Sequence, residues 1–226
     1  MHTLAVLSLK GGVGKTTVAL GLASAAQARG MRALVADLDP QCNATSALDP
    51  ADARATLADV LSTPRRSVLE AAIAPSGWGN GLDVLVGAEK AETLNEPDPG
   101  SRRLNRLGTA LSELNRLIDH GELPYEVVIL DCPPSLGRLT RSALVAARGA
   151  LMVTEPSLFA VSGAQRAAEA VDTERAVHNS ALRPIGVVVN KVRSRSKEHA
   201  FRIGELRDMF GDQVLEPTLP DRAAIA

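Results

Sequence analysis

No apolar run in the 226-residue sequence approaches the ~18 residues that a bilayer-spanning helix requires, which argues against an integral membrane protein. The N-terminal MHTLAVLSLK has neither a basic leader nor a small-residue cleavage site, so a secretory signal is not expected. Cysteine is scarce. Cys42 and Cys132 fall in different expected loops, form no CxxC pair and have no histidine-rich surroundings, which removes the usual zinc and disulfide frameworks. Free thiols in a reducing cytoplasm follow, and with them a soluble, cytoplasmic protein. An excess of one charge is also missing: 25 Lys and Arg stand against 26 Asp and Glu, for a net charge of -1. Any attraction to nucleic acid must therefore come from a local cluster. Internal repeats, low-complexity tracts and interdomain linkers are absent. At this length, with 45% hydrophobic residues, one α/β domain spanning residues 1–226 is expected.

What is present is an alternation of short β-rich runs with helical patterns. Leu4 to Leu9, Ala33 to Ala36, Leu82 to Val86, Val127 to Leu130, Ala150 to Val153 and Ile185 to Val189 are the expected strands. Most are nearly continuous apolar runs, as parallel strands covered on both faces should be. The fold class expected is α/β, a doubly wound, mostly parallel sheet with helices on both faces. Thr16 to Arg29 is an Ala-rich helix stopped by Gly30. In Ser101 to His120, Leu104, Leu107, Leu111, Leu114, Leu117 and Ile118 recur at helical spacing, the stripe of a helix that faces a core. Pro40 to Gly81 reads as loops and short helices, with Trp78, the one tryptophan, as a packing anchor. Glu96 to Gly100 is expected to link a strand to the long helix.

The segment Gly11-Gly12-Val13-Gly14-Lys15-Thr16-Thr17 lies between the first expected strand and the first helix. Glycines let successive N–H groups curl inward around an anion, and a helix N-terminus adds a favourable dipole. In that setting Lys15 supplies a charge to the β- and γ-phosphates of a nucleotide, Thr16 is placed to ligate Mg²⁺, and Thr17 holds a further phosphate. The segment from Lys10 to Lys15 is a compact variant of G-x-x-x-x-G-K-[ST], with lysine at its first position. Two acids, Asp37 and Asp39, close the second strand and project from the same side of an extended chain. Asp131 ends the run Val127 to Leu130, a pattern that supports Mg²⁺ in P-loop NTPases. Asn190 ends the last apolar strand, and its amide can both donate to and accept from an adenine ring.

KGGVGKTT resembles the deviant Walker A of the ParA and MinD group of ATPases, and the resemblance to ParA/Soj-type partition ATPases runs from Lys10 to about Pro220. Asp37 to Thr45 is similar to that family's DxDPQGNAT, with Cys42 in place of glycine, and ILDCPPSLG is similar to its Walker B and second switch. The resemblance implies ATP and Mg²⁺ as cofactors, bound through Lys10 to Thr17, with Thr16, Asp39 and Asp131 around the metal and Asn190 at adenine. It implies that Lys10 reaches across a homodimer to the partner's nucleotide. It also implies that Lys10, Lys15 and Asp39 serve hydrolysis, with Asp39 on the attacking water, and that Asp37, Pro40, Pro133 and Pro134 belong to switch loops.

The same resemblance implies an ATP-dependent dimer that binds DNA nonspecifically on the nucleoid, is stimulated by a ParB-like partner and segregates a plasmid or chromosome. Arg193, Arg195, Lys197 and Arg202, with Lys191, are the local cluster that could meet phosphates. A non-DNA cargo and a MinD-like membrane role are the alternatives, though no amphipathic anchor is visible after Pro217. With no helix-turn-helix ahead of the P-loop, sequence-specific operator binding is not expected.

Overall fold

Along the central strands, apolar side chains alternate between two separate cores. In the computed structural model, which describes residues 1–95 and 101–222, Ala5 and Leu7 of the first strand enter one core and Val6 the other. Val128 and Leu130 against Ile129, and Ala150 and Met152 against Leu151 and Val153, repeat the division. Both faces are therefore covered, and the period of two survives inside runs that look uniformly apolar.

The chain order is β1 (His2–Leu7), α1 (Lys15–Ala28), β2 (Ala33–Asp37), α2 (Asn43–Leu48), α3 (Leu57–Ser62), α4 (Arg66–Ala72), β3 (Ile73–Pro75), β4 (Leu82–Leu85), α5 (Ser101–Asp119), β5 (Val127–Asp131), α6 (Arg138–Ala146), β6 (Gly149–Thr154), α7 (Leu158–Val177), β7 (Arg183–Val189) and α8 (Lys197–Phe210). Among the described residues these strands form one seven-stranded sheet in the order β3-β4-β2-β5-β1-β6-β7. Every pairing is parallel except β3 with β4. This is the expected doubly wound architecture. From β1 the chain moves toward β2 and β4, and from β5 it crosses back past β1 to β6. The loops after β1 and β5 thus depart in opposite directions, which opens the crevice where such sheets bind ligands.

The expected elements agree with the structure apart from their edges. The first strand ends at Leu7 rather than Leu9, because the phosphate loop begins at Ser8, whose hydroxyl bonds to Lys10 N at 3.2 Å. Helix α1 ends in a Schellman motif: Met31 N donates to Ala26 O, Gly30 N donates to Gln27 O, and Gly30 takes φ 75. The α5 stripe is core, with Leu107 and Leu114 fully buried. Strand β3 was not expected. It is three residues long, contains Pro75 and lies at the sheet's edge, where a missing N–H costs little. Trp78 anchors its loop by donating from Nε1 to Ala47 O at 2.7 Å, and Gln27 Nε2 holds Asn80 O at 2.9 Å. The expected link at 96–100 lies outside the described residues.

Leu130 sits in the middle strand, fully buried among Leu and Ala side chains of the larger core. Leu130→Ala should lower the unfolding free energy by about 3 kcal/mol through reduced transfer energy and the cavity left behind. Urea denaturation checks this, and a loss below about 1 kcal/mol would mean that the core collapses around the gap.

Candidate functional site

The phosphate loop, residues 8–14, connects β1 to α1 at the carboxyl end of the sheet. Gly12 and Gly14 take φ 78 and φ 87, left-handed conformations that a Cβ would strain. At Gly14 there is also no space, since a Cβ would stand 2.2 Å from Asn190 Nδ2. The loop borders a cavity of about 360 Å³ whose wall includes Lys15, Thr16, Thr17, Asp39, Pro134 and Asn190. Every expected nucleotide residue from Lys10 to Thr17, together with Asn190, lines this one cavity.

At its floor the charges converge. Lys15 Nζ donates to Asp131 Oδ1 at 2.6 Å and lies 3.7 Å from Asp39 Oδ2, while Thr16 Oγ1 donates to Asp131 Oδ2 at 2.7 Å. Lys15, Asp39 and Asp131 are all buried. Burial raises the Asp131 pKa, against the pull of Lys15 and Thr16. Thr16 and Asp131 thus face each other as a hydroxyl and a carboxylate in need of positive charge, which fits Mg²⁺. Among the described residues no three His, Cys, Asp or Glu side chains gather into a metal cage. Mg²⁺ beside a nucleotide needs none, because phosphates and water complete its octahedron.

Asp37, the last residue of β2, and Asp39, just beyond it, play separate structural parts. Asp37 is fully buried and accepts from Thr45 N at 2.8 Å and Asp39 N at 3.2 Å, which ties the strand to α2. Burial raises its pKa to about 6, with those N–H bonds opposing. Asp39 Oδ1 accepts from Gln41 N at 3.1 Å and leaves Oδ2 toward Lys15. Thr45 passes the linkage on, since its Oγ1 accepts from Gly87 N at 2.9 Å. The loop after Asp131 is held from another side: Asn95 Nδ2 donates to Ser135 Oγ at 3.3 Å and its Oδ1 accepts from Leu139 N at 3.3 Å. Of the expected switch prolines, Pro134 reaches the cavity wall, and Pro133 O accepts from Thr140 Oγ1 at 3.3 Å. Cys132 is a packing residue, fully buried, its thiol pushed up to about 12 by burial.

Two interactions at the cavity's mouth were not anticipated. Lys10 Nζ pairs with Glu155 and donates to Ser157 Oγ at 3.0 Å, both just beyond β6. Lys191 Nζ donates to the Gly12 carbonyl at 2.6 Å. The available signal was Glu155-Pro156-Ser157 at a strand's carboxyl end, but only the strand order sets it beside Lys10.

The basic cluster divides. Arg193 Nε holds Asp221 Oδ2 at 2.6 Å, and Arg202 holds Glu205 Oε2 at 2.8 Å with its guanidinium 5.2 Å from the Phe201 ring centre. Among the described residues Arg195 and Lys197 are exposed and make no ion pair.

A doubly wound sheet, a glycine loop opening into a helix, and a buried Lys-Thr-Asp cluster define a P-loop nucleotide-binding protein. A family model described as AAA domain matches residues 1–183. The chain is 32% identical to the chromosome partitioning protein ParA of Caulobacter vibrioides, over 100% of this chain and 83% of that protein. It is 31% identical to the chromosome-partitioning ATPase Soj of Thermus thermophilus, over 100% of this chain and 84% of that one. It also matches the structure of cobyrinic acid a,c-diamide synthase from Mycobacterium smegmatis with bound ADP and magnesium, at TM-score 0.84 and 27% identity, over 100% of this chain and 89% of that one. The chain belongs to the ParA family of partition ATPases.

Cys42, where the family's motif has glycine, takes φ 55 at the start of α2. A left-handed non-glycine residue costs about 1–2 kcal/mol, and glycine's extra freedom in the unfolded chain costs about 0.5–1 kcal/mol. Strain relief wins narrowly. Cys42→Gly should raise the melting temperature by about 2 °C, and a fall in calorimetry would show that the thiol's packing outweighs the strain.

Proposed function

We propose that this protein is a Mg²⁺-ATP-driven switch of the partition type, monomeric or loosely associated without ATP and a homodimer with it, acting on nonspecific DNA of the nucleoid with a ParB-like partner. The observation that carries this reading is the convergence of Lys15, Thr16, Asp39 and Asp131 beneath the glycine loop, with a second lysine, Lys10, held at the mouth. The ADP and magnesium held by the Mycobacterium smegmatis relative support the same pair of ligands here.

In this reading Thr16 and Asp131 hold Mg²⁺, which supplies charge neutralisation to the phosphates when bound. Lys15 leaves Asp131 for the β- and γ-phosphates. Asp39 then loses its cationic neighbour and is free to orient water toward the γ-phosphorus. That water adds to phosphorus as the bridging P–O bond breaks, giving ADP and phosphate. Asn190, at 4% exposure in the cavity wall, offers a second amide hydrogen and its oxygen to the base. Lys10 must exchange Glu155 and Ser157 for the partner's phosphates, as a charge delivered in trans. Slow turnover suits such a device, because the dimer must persist long enough to act.

DNA binding falls to Arg195 and Lys197, the two cluster cations engaged, among the described residues, neither by an acid nor, as Lys191 is, by the glycine loop. With Asp39→Ala holding the ATP state, the protein should dimerise with ATP and not ADP, and Lys10→Ala should abolish that dimer in sedimentation experiments. The ATP dimer should bind duplex DNA of any sequence with strong salt dependence. Arg195→Ala should make the slope of log K against log salt shallower by about 1 for each protomer that engages a phosphate. Equal dimerisation with ADP and ATP would refute the switch, and ATP-dependent dimers that ignore DNA would replace DNA with another cargo.

A further inference from the structure

Two consecutive side chains at the end of β7 grip two consecutive carbonyls of the phosphate loop. Asn190 Nδ2 donates to Val13 O at 2.9 Å, and Lys191 Nζ donates to Gly12 O at 2.6 Å. A trans peptide is planar, so the carbonyl of one residue and the N–H of the next point in opposite directions. Holding the Gly12 carbonyl toward Lys191 therefore turns the Val13 N–H the opposite way, and holding the Val13 carbonyl toward Asn190 does the same for the Gly14 N–H. Those are two of the N–H groups that a glycine-loop anion nest needs.

The mount is rigid. Asn190 N donates to Thr154 O of β6 at 2.8 Å, and Val192 N donates to Leu219 O at 2.9 Å, so the pinning pair is fixed from both sides. Lys191 itself takes φ 57, a left-handed conformation uncommon outside glycine and tolerated where the surroundings enforce it. That turn lets Lys191 reach the loop beside Asn190, whereas successive side chains of an extended strand point to opposite faces.

We propose that Lys191 is a positioning residue that, with Asn190, pre-aligns the Val13 and Gly14 N–H groups for the phosphate oxygens of a nucleoside di- or triphosphate. Glycines at 12 and 14 make the loop able to adopt the nest but also able to leave it, since a glycine has mirror-image conformations open to it. The two grips remove that freedom before the ligand arrives, which lowers the ordering cost of binding. The proposal rests on the nucleotide-site reading above. It assigns Lys191 to the loop and not to the base, the γ-phosphate or DNA.

The test is equilibrium binding of fluorescent ADP and ATP analogues to the full chain and to Lys191→Met, with Trp78 emission and thermal melting checking the fold. Lys191→Met should weaken ADP and ATP equally, by about tenfold. ATP-over-GTP preference should stay unchanged, and Lys191→Arg should restore most of the affinity. Loss for ATP but not ADP would make Lys191 a γ-phosphate ligand, and altered base preference would make it a base ligand. Either result, or unchanged affinity, overturns the proposal. If the unsubstituted protein binds neither nucleotide, the site reading itself fails, and the two failures are distinct.

Discussion

The interaction on which the rest of the structure depends is the buried one between the Lys15 ammonium and the Asp131 carboxylate. A lone ion at that depth would carry an uncompensated desolvation cost, and burial already raises the Asp131 pKa. Pairing offsets the cost only while both groups stay in place. The first residue of α1 and the last residue of β5 are thereby locked together, and Thr16 adds a second bond to the same carboxylate. A cavity built this way is a store of charges arranged for a ligand. In the proposed function the lysine would take phosphate oxygens, the aspartate would take a cation, and a nucleotide with its metal would satisfy both in one exchange.

Hydrogen bonds also link the carboxyl ends of β2 and β5 through the segment after β4. Asp37 is linked through Thr45 to Gly87, which joins the loop after β2 to the loop after β4. Asn95, at the far end of that second loop, grips Ser135 and Leu139 after β5. The loops after β2 and β5 therefore share an intermediary in the segment after β4. Trp78 donates to a carbonyl of α2, so the single tryptophan is tied to the helix that follows the loop after β2.

The sheet and the phosphate site were legible because their signals are local: apolar runs for the strands, glycines and lysine for the loop, and an acid at the end of β2 and of β5. What escaped the sequence depends on strand order. Glu155 reaches Lys10 only because β6 lies beside β1, and Lys191 reaches Gly12 only because the end of β7 returns to the glycine loop. Both interactions join residues more than a hundred positions apart, and neither residue type announces its partner. Strand β3 escaped for the opposite reason, being too short and proline-marked to show a period. Asn190 was expected at the base and is found holding Val13 O, which leaves its second amide hydrogen and its oxygen for another partner.

Under the proposed function, the basic cluster is where a nearly neutral chain would make DNA binding depend on ATP. Sequence offered Lys191 and four further cations, but Lys191 is engaged by Gly12, Arg193 by Asp221 and Arg202 by Glu205. Arg195 and Lys197 are what remains, too few for one protomer to hold a polyanion at physiological salt, where each neutralised phosphate contributes through counterion release. The proposed two-fold dimer would double that number and make the second pair an intramolecular partner of the first. In the proposed switch, association rather than any change in charge would turn weak attraction into binding, and breaking the dimer would be sufficient to release the DNA.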